Sequence, residues 1–444
     1  MTTINSIEIR GLFDDRDIRA DLPVDESLAF LYGANGAGKS TILRVADHLL
    51  QKSFRQLSKI PFRSAEIVLS NRTKLRIERE DHGGSLRLNV NGYEVPIPRV
   101  KYKPERRPIL AEIIDEVSTG ITRIDRFMWF DDARQIELSL DDAVELYSDE
   151  LPAEDVEIEA VDPRIESALG DIRSILIPAS RLYRSAHTRF AYGSSLAART
   201  RLRQHNLSEQ QGWVASAINS ALRQYADESR ILEQSFPIRI LDREEPGFSI
   251  EETRRLYEKV SEAEASLTKV GLAVSGEKLP RVDLDYRVKA ALDRDPSAER
   301  IAIVHEYLSD ALKKLDRVKA VQEKLELFLG MLNSQFSRKE VVPDPVNGFR
   351  IKAGDRDLSI SDLSSGEQHQ LYLASALLFR EQQSAIVMID EPELSLHVSW
   401  QEDLSDTLIR VAELAGHSFV LATHSPTIIG DRWDLAVELS VRES

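Results

Sequence analysis

The chain contains no cysteine among its 444 residues, so it has neither disulfide bonds nor thiolate ligands for a metal. Its first residues, Met1 to Asn5, lack the basic and then apolar stretch of a secretory signal. No apolar run approaches the length that a membrane-spanning helix needs. Together these absences predict a soluble cytoplasmic protein that does not contact a membrane.

Positive charge is also in short supply. The chain has 58 Lys and Arg against 74 Asp and Glu, and its net charge is −16. This excess of negative charge argues against non-specific nucleic-acid binding over the whole surface, but a local basic patch is still compatible with it. Because 42% of the residues are hydrophobic, the chain has enough apolar side chains for a real core, and its length suits two or three domains.

A glycine-rich segment at residues 33–40 reads Gly-Ala-Asn-Gly-Ala-Gly-Lys-Ser and fits the phosphate-binding loop (P-loop) pattern. The apolar run Leu28 to Tyr32 predicts a strand before it, and residues 41–51 predict an amphipathic helix after it. In such a context the backbone N–H groups of the loop close around a phosphate, with help from the helix dipole. The pattern predicts that Lys39 reaches the β- and γ-phosphates and that Ser40 holds Mg²⁺.

Short β-type runs follow between residues 65 and 97, and the dipeptide Asn91-Gly92 is a strong hairpin signal. They predict an antiparallel β subdomain beside the nucleotide core. The next feature is acidic: residues 131–171 contain fifteen Asp or Glu against Arg134 and Arg164. We interpret this segment as a solvated surface insertion in preference to a DNA mimic or a docking strip.

An arginine-rich run then alternates with aromatic residues between Arg181 and Arg203. Guanidinium groups beside aromatic rings suit phosphate contacts and base stacking, and so nucleic-acid binding. They equally suit a subunit interface or pairing with the acidic segment. The sequence leaves these three interpretations open.

Residues 206–338 are predicted to be mostly helical, and residues 297–336 form the longest helix. A helix of about 40 residues spans roughly 60 Å, which is a short arm or bundle. We expect it to pack within the chain, with a protruding dimer arm as the alternative. Its apolar residues follow heptad spacing; they are Val304, Leu308, Ala311, Leu315, Val318, Leu325, Leu329, Leu332 and Phe336.

Four further motifs lie near the end of the chain. Residues 362–368 read Asp-Leu-Ser-Ser-Gly-Glu-Gln before an amphipathic helix. An apolar strand at 385–389 ends in Asp-Glu-Pro-Glu, and Leu-Ser-Leu-His follows at 394–397. A second apolar strand at 418–422 ends in Thr-His-Ser-Pro.

These motifs supply the groups that hydrolysis of a nucleoside triphosphate needs. Asp390 at a strand end can hold the Mg²⁺ shell, Glu391 can deprotonate an attacking water, and His424 can contact the γ-phosphate. The segment 364–366 at a helix N-terminus can form a second phosphate-binding surface. The plainer interpretations are a helix cap for Ser364 and a structural histidine for His424.

In their order, these motifs resemble those of ABC-type ATPases of the non-transporter branch, with SMC-like, RecF-like and OLD-like heads. The form of residues 393–401 is most similar to the PtuA-type ATPases of Septu and some retron systems, and the PARIS-type defence ATPase is also similar. The resemblance covers about residues 1–205 and 340–444. It implies an α/β fold: a P-loop ABC-ATPase head with an antiparallel β subdomain and a helical, short coiled-coil-like insertion.

The resemblance divides the chain into residues 1–205 and 339–444 of the head, with the acidic insertion at about 131–171, and a helical arm at 206–338. It implies ATP and Mg²⁺ as cofactors, Glu391, His424 and Lys39 as catalytic residues, and Ser40 and Asp390 at the metal. It further implies a homodimer of heads, or a larger assembly, in which the signature serines of one copy complete the other's site. The implied nucleotide-binding residues are Gly33, Asn35, Gly36, Gly38, Lys39, Ser40, Thr41, Ser364, Ser365 and Gly366.

Two positions depart from the family pattern. Ala179-Ser180-Arg181 stands where such ATPases usually have a glutamine. Either Ser180 substitutes for it at the metal shell or Arg181 senses the phosphate in another way, and hydrolysis is expected to be slow or conditional. His397 stands where the transporter branch has aspartate, and it is expected to face the dimer seam.

Only twenty residues follow His424, so the chain is not expected to carry a nuclease domain of its own. Our first hypothesis is therefore an ATPase sensor and scaffold of an anti-phage system that controls a separate nuclease or toxin. The alternative is a RecF-like or SMC-like ATPase of DNA repair or chromosome maintenance that binds DNA through the arginine-rich run. A third reading is an interaction protein that uses ATP only as a structural ligand.

Overall fold

A computed structural model of the chain describes residues 2–13, 16–24, 26–79, 86–97, 100–117, 121–131, 136–147, 151–152, 156–158, 162–170, 172–178, 196–242, 248–272, 289, 297–380, 384–394 and 398–443. The chain divides into two compact units, which we describe separately. The first comprises residues 1–206 and 381–444, and the second comprises residues 207–380. Residues 339–380, which the motifs assign to the head, thus group with the helices of the second unit.

The helices range from one turn to more than ten turns. They are α1 (Lys39–Leu50), α2 (Phe54–Ser58), α3 (Arg107–Val117), α4 (Leu140–Leu146), α5 (Pro163–Leu169), α6 (Leu196–Leu241), α7 (Ile250–Lys269), α8 (Ala298–Asn333), α9 (Ser365–Ser375), α10 (Val398–Ala415) and α11 (Pro426–Ile429). None of these described helices combines the length and the hydropathy that crossing a lipid bilayer requires.

The strands among the described residues form five sheets. They are β1 (Ile4–Leu12), β2 (Arg16–Asp21), β3 (Leu28–Tyr32), β4 (Ser64–Leu69), β5 (Lys74–Arg79), β6 (Leu86–Val90), β7 (Tyr93–Val95), β8 (Val100–Lys101), β9 (Ile121–Asp125), β10 (Met128–Asp131), β11 (Ile136–Ser139), β12 (Glu157–Ile158), β13 (Arg173–Ile177), β14 (Glu340–Asp344), β15 (Gly348–Ala353), β16 (Arg356–Leu358), β17 (Ala385–Asp390), β18 (Ser418–Ala422), β19 (Ala436–Glu438) and β20 (Ser440–Glu443).

A parallel sheet positions the predicted chemistry. Its strand order is β13-β17-β18-β3-β19, and every neighbouring pair is parallel. Strands β17 and β18 are buried along their whole length, which explains why their sequences are apolar except for Asp390 and Ser418 at their ends. Because parallel strands end at one edge of a sheet, the segments after β3, β17 and β18 meet there. These segments are the P-loop, the Asp-Glu pair and the Thr-His pair.

The predicted antiparallel β subdomain is a seven-stranded sheet in the order β20-β2-β1-β4-β5-β6-β7. Its strands alternate between buried and more exposed residues, as in β4, because one face packs on the core. Asn91 and Gly92 both have positive φ, 53° and 91°, and they join β6 to β7. This geometry suits a tight hairpin turn. Helix α1 contributes Ile42, Val45 and Leu49 to the core that this sheet and the parallel sheet share.

The acidic segment was expected to be a solvated surface insertion, and its described residues include folded elements with a core. Leu138, Leu140 and Val144 are buried together with Trp129 in a small separate core. These apolar residues come from β10, β11 and α4, so this part of the segment is folded, and its being an insertion stays a prediction. Even Asp142 has only 1% of its side chain exposed, because Arg55, Lys59 and Ser139 bind its carboxylate.

In the second unit, α8 runs antiparallel to α6. Successive ion pairs join Lys314 to Glu233 and Arg317 to Glu228. Six of the nine predicted heptad positions of this region are buried, from Leu308 to Phe336. The pattern drifts at Leu329, which is only half-buried while Leu327 and Phe328 are buried. A straight α-helix has 3.6 residues per turn, so a 3.5-residue repeat rotates away from its partner along a long helix.

These observations confirm the predicted fold class: a mixed α/β head with a parallel and an antiparallel sheet, and a long-helix insertion. Three predicted features lie outside the described residues. They are the loop Ala179-Ser180-Arg181, residues 181–195 of the arginine-rich run, and His397. The remainder of that run, up to Arg203, belongs to α6.

Candidate nucleotide-binding and hydrolysis site

The P-loop connects β3 to α1 and uses glycine where other residues are strained. Gly36 has φ +78° and Gly38 has φ +97°, in the left-handed region that glycine tolerates. A Cβ atom on Gly38 would lie 2.4 Å from Cδ1 of the buried Ile18, whereas one on Gly36 would meet open space. Arg16 on β2 donates a hydrogen bond to the carbonyl of Gly36 at 3.2 Å. The loop thus wraps the N-terminus of α1, where phosphate-binding loops hold anions.

Lys39 is the first residue of α1 and is 4% exposed. Its Nζ donates to the carbonyls of Gly33 and Ala34 at 3.0 and 3.1 Å, and it lies 2.5 Å from Nε2 of His424. Burial lowers the pKa of Lys39, and the nearby carboxylates, with Glu391 first, oppose this shift. The ammonium therefore sits inside the loop at the place where the motif predicts phosphate oxygens.

Ser40 and Asp390 lie together at the end of the parallel sheet. The Oγ of Ser40 donates to Oδ1 of Asp390 at 2.9 Å, and Asp390 is the last residue of β17. One hydroxyl and one carboxylate fit Mg²⁺, which is commonly held by few protein ligands together with substrate phosphates and water. Among the described residues, no group of three or more His, Asp or Glu forms a metal site made of protein ligands alone.

Glu391 follows β17 and has an unusual backbone. Its φ is +46°, which is rare for a residue with a side chain, and its N–H donates to the carbonyl of Ala422 at 2.8 Å. Such strain is held by the surrounding structure and occurs often at functional sites. The conformation turns the Glu391 carboxylate towards His424, whose Nε2 lies 3.8 Å from its Oε1. The carboxylate is 29% exposed, so solvent water has access to it.

His424 is held by its backbone as well as its ring. Its N–H donates to Oε1 of Glu393 at 2.6 Å, and Oγ1 of Thr423 donates to Oε2 of the same carboxylate at 2.9 Å. The ring nitrogen Nε2 faces Nζ of Lys39, and which of the two donates the hydrogen bond depends on the tautomer of the imidazole. The sequence did not predict that Thr423 and His424 form hydrogen bonds with Glu393.

The signature segment lies in the second unit. Ser364 caps α9: its Oγ accepts from the N–H of Glu367 at 3.3 Å, and Glu367 Oε2 accepts from the N–H of Ser364 at 2.7 Å. Lys339 holds the Glu367 carboxylate at 2.8 Å. Burial raises the pKa of Glu367, but the hydrogen bonds from Lys339 and Ser364 outweigh this effect. The pKa of Glu367 therefore lies below its ordinary value. Ser365 begins α9, and Gly366 follows it with open space around its Cβ position. The plainer interpretation, a helix cap, therefore describes Ser364 in this structure.

Five predicted residues thus come together in the first unit: Lys39, Ser40, Asp390, Glu391 and His424. Gly33, Asn35, Gly36, Gly38 and Thr41 lie in the same loop and helix start. The structure adds Glu393, which sequence reasoning quoted within its motif without giving it a role. The sequence shows Glu393 only as a further carboxylate two residues after Glu391. Its partners Thr423 and His424 lie 30 and 31 positions away, so only the fold identifies them.

The fold and the residues at the sheet edge are those of a P-loop ATPase. A family model described as "AAA domain, putative AbiEii toxin, Type IV TA system" matches residues 136–430, which is more than half of the chain, and the chain belongs to this family. No curated protein matches the chain.

Solved structures of SMC heads are remotely similar. One is the Smc head domain with an extended coiled coil from Pyrococcus furiosus, bound to the C-terminal domain of ScpA. It is 13% identical and has a TM-score of 0.37, with 100% of this chain and 97% of that chain covered. The SMC head domain from Thermotoga maritima is 12% identical with a TM-score of 0.34, and 99% of each chain is covered.

Proposed function

We propose that the chain hydrolyses ATP and serves as the sensor and scaffold subunit of a cytoplasmic anti-phage defence system. The observation that carries the ATPase part is the contact between Ser40 and Asp390, which brings a P-loop hydroxyl and a strand-end carboxylate to 2.9 Å beside Lys39. The family's description names a toxin of a toxin–antitoxin system, and this supports a role in defence.

The chemistry follows from the positions of the side chains. Lys39 binds the β- and γ-phosphates in exchange for the carbonyls and the imidazole that it now contacts. Ser40 and Asp390 would hold Mg²⁺, which would supply positive charge to neutralise the phosphates. Glu391 accepts the proton of the attacking water, and His424 donates a hydrogen bond to a γ-phosphate oxygen.

We further propose that two heads pair around ATP. Ser364 and Gly366 are exposed at the N-terminus of α9, a position that suits an anion from another molecule. The phosphates bound by one copy would satisfy the N–H groups of this segment in the second copy. A homodimer or a larger assembly would then form when ATP binds, and its formation would be the signal to a separate nuclease or toxin.

The test has two parts. ATP turnover is measured for the wild type, for Lys39→Ala and Glu391→Gln, and for Asp403→Asn, a control on the exposed side of α10. The product of the neighbouring gene is then mixed with each protein, and complex formation and effector activity are measured with and without ATP. We expect turnover only in the wild type and the control, and an effector whose activity depends on ATP. Turnover that survives in Lys39→Ala would reject the proposed site.

Failure to bind the neighbouring product, together with tight and salt-dependent DNA binding, would instead favour the RecF-like alternative. In that case, substitution of the arginines between Arg181 and Arg203 should weaken DNA binding. Nuclease activity of the purified chain itself would contradict the proposal that the effector is a separate protein.

A further inference from the structure

Glu393 connects the two strand ends that carry the catalytic side chains. It lies in the short 3-10 turn Pro392–Leu394, directly after Glu391 at the end of β17. Both of its carboxylate oxygens accept hydrogen bonds from consecutive residues after β18, namely Thr423 and His424, at 2.9 and 2.6 Å. One side chain thus ties the turn that holds the general base to the segment that holds the histidine.

The surrounding contacts make this connection rigid. Thr423 is fully buried, and its Oγ1 also accepts from the N–H of Ser425 at 3.0 Å. Gln401 on α10 donates to the backbone carbonyl of Glu393 and accepts from the hydroxyl of Ser425, at 3.3 and 3.1 Å. Hydrogen bonds to an ionised acceptor are the stronger kind, so the carboxylate dominates this network.

The imidazole of His424 depends on this network for its place. The Nε2 atom of His424 lies 2.5 Å from Lys39 Nζ and 3.8 Å from Glu391 Oε1. The backbone N–H of His424 is bound to Glu393, and this contact fixes the residue that carries the ring. If the backbone N–H of His424 were released, the ring would be free to move relative to both. A misplacement of about 1 Å at a reacting centre can reduce a rate roughly a hundredfold.

We propose that Glu393 is a positioning residue: it fixes His424 against the γ-phosphate and Glu391, and it acts on the hydrolysis step without contributing to ATP binding. This inference rests on the ATPase function proposed above. It assigns a separate task to each carboxylate of the motif: Asp390 serves the metal, Glu391 serves the water, and Glu393 serves the histidine. Glu393 touches neither the nucleotide nor the water in this assignment.

The variants Glu393→Gln and Glu393→Ala test the proposal, with Glu402→Gln as a control for loss of one negative charge from an exposed position on α10. Glu393→Gln has nearly the same shape but keeps only one acceptor oxygen, so it guards against a variant that does not fold. We expect ATP affinity to stay within about threefold, while the single-turnover rate falls roughly ten- to a hundredfold. Equal rates for Glu393→Gln and wild type would overturn the proposal.

A double-mutant cycle with His424→Ala separates positioning from a general structural role. If Glu393 acts through His424, Glu393→Ala slows the wild type but has little further effect in His424→Ala. Rate losses that multiply in the double variant would show that Glu393 acts independently of His424.

An NMR measurement that does not depend on ATP turnover tests the positioning role of Glu393 separately from the ATPase proposal. The imidazole signal of His424 in an NMR spectrum is assigned by its loss in His424→Gln, and its chemical shift is compared between wild type and Glu393→Gln. We expect the chemical shift to change, and an unchanged signal would contradict the inference. If the wild type shows no turnover while this signal changes, the ATPase proposal fails and the positioning contact stands.

Discussion

The hydroxyl of Ser40 donates a hydrogen bond to the carboxylate of Asp390 at 2.9 Å, although 350 positions separate them in the chain. Ser40 lies in the first turn of α1, the helix after β3, and Asp390 ends β17, two strands away in the parallel sheet. The fold therefore brings together, from distant parts of the sequence, the two residues that we propose as the Mg²⁺ ligands. This contact leads to the first prediction.

Asp390→Asn removes the charge and preserves the size of the side chain. We expect ATP turnover to fall roughly a hundredfold, because the amide no longer holds Mg²⁺ against the phosphates. Nucleotide affinity measured in EDTA should stay within about threefold of wild type, since Lys39 and the loop remain. The exposed Asp403→Asn on α10 is the control for turnover. A turnover of Asp390→Asn equal to that of the control would show that this carboxylate does not serve the metal.

Two glycines of the P-loop make a matched pair for a stability test. Alanine at Gly36 would lower the free energy of unfolding by about 1–2 kcal/mol, because its only strain is the left-handed backbone. Alanine at Gly38 has the same backbone problem, and its Cβ also overlaps Ile18, which adds about 1–3 kcal/mol. We therefore expect Gly38→Ala to unfold at a lower urea concentration than Gly36→Ala. The reverse order would contradict the packing of β2 against the loop.

The lowered pKa of Lys39 predicts proton uptake on ATP binding. Burial lowers this pKa below the ordinary value of 10.5, and the added phosphate charges should raise it again. Between the two pKa values, binding takes up a proton, which calorimetry over a series of pH values below 10.5 detects by comparing buffers of different ionisation enthalpy. Lys39→Arg is the control because a guanidinium stays charged. Equal uptake by both proteins would rule out Lys39 as its source.

Asp142 anchors the acidic segment to α2, so Asp142→Asn should reduce stability at neutral pH by about 1–2 kcal/mol. Burial raises the pKa of Asp142, but Lys59 and Ser139 hold it below 3.8. A lowered carboxyl pKa stabilises the fold above the unfolded value and loses this effect as the pH falls through the folded value. The difference in melting temperature between variant and wild type should therefore persist down to the unfolded pKa of about 4 and disappear only as the pH falls through the lower folded pKa of Asp142. A difference that persists in acid would contradict the role of this charge.

Much of the first unit could be predicted because local patterns and tertiary structure agree there. The strand Leu28–Tyr32 was predicted at its observed bounds, and Asn91-Gly92 turns the chain as its conformational preference requires. The motif order also predicted which side chains meet, because consecutive parallel strands end at one edge of the sheet. The catalytic roles of these residues remain predictions.

Other features depend on contacts that no local pattern encodes. The burial of Asp142 required a helix 87 positions earlier to supply Arg55. Glu393 is part of a recognisable motif, but its contacts with the residues after β18 could not be predicted from that motif. The heptad pattern of α8 shifted near Leu329 because a long helix rotates relative to a strict repeat.

The measurement that tests the central proposal most directly is the mass of the purified chain in solution, with and without ATP and Mg²⁺, for wild type and Glu391→Gln. Glu391→Gln keeps the binding residues and removes the group that activates water. We predict that ATP drives the wild type transiently into a dimer or larger assembly, and that Glu391→Gln remains in this state. An unchanged mass in all four samples would contradict the pairing of heads around ATP.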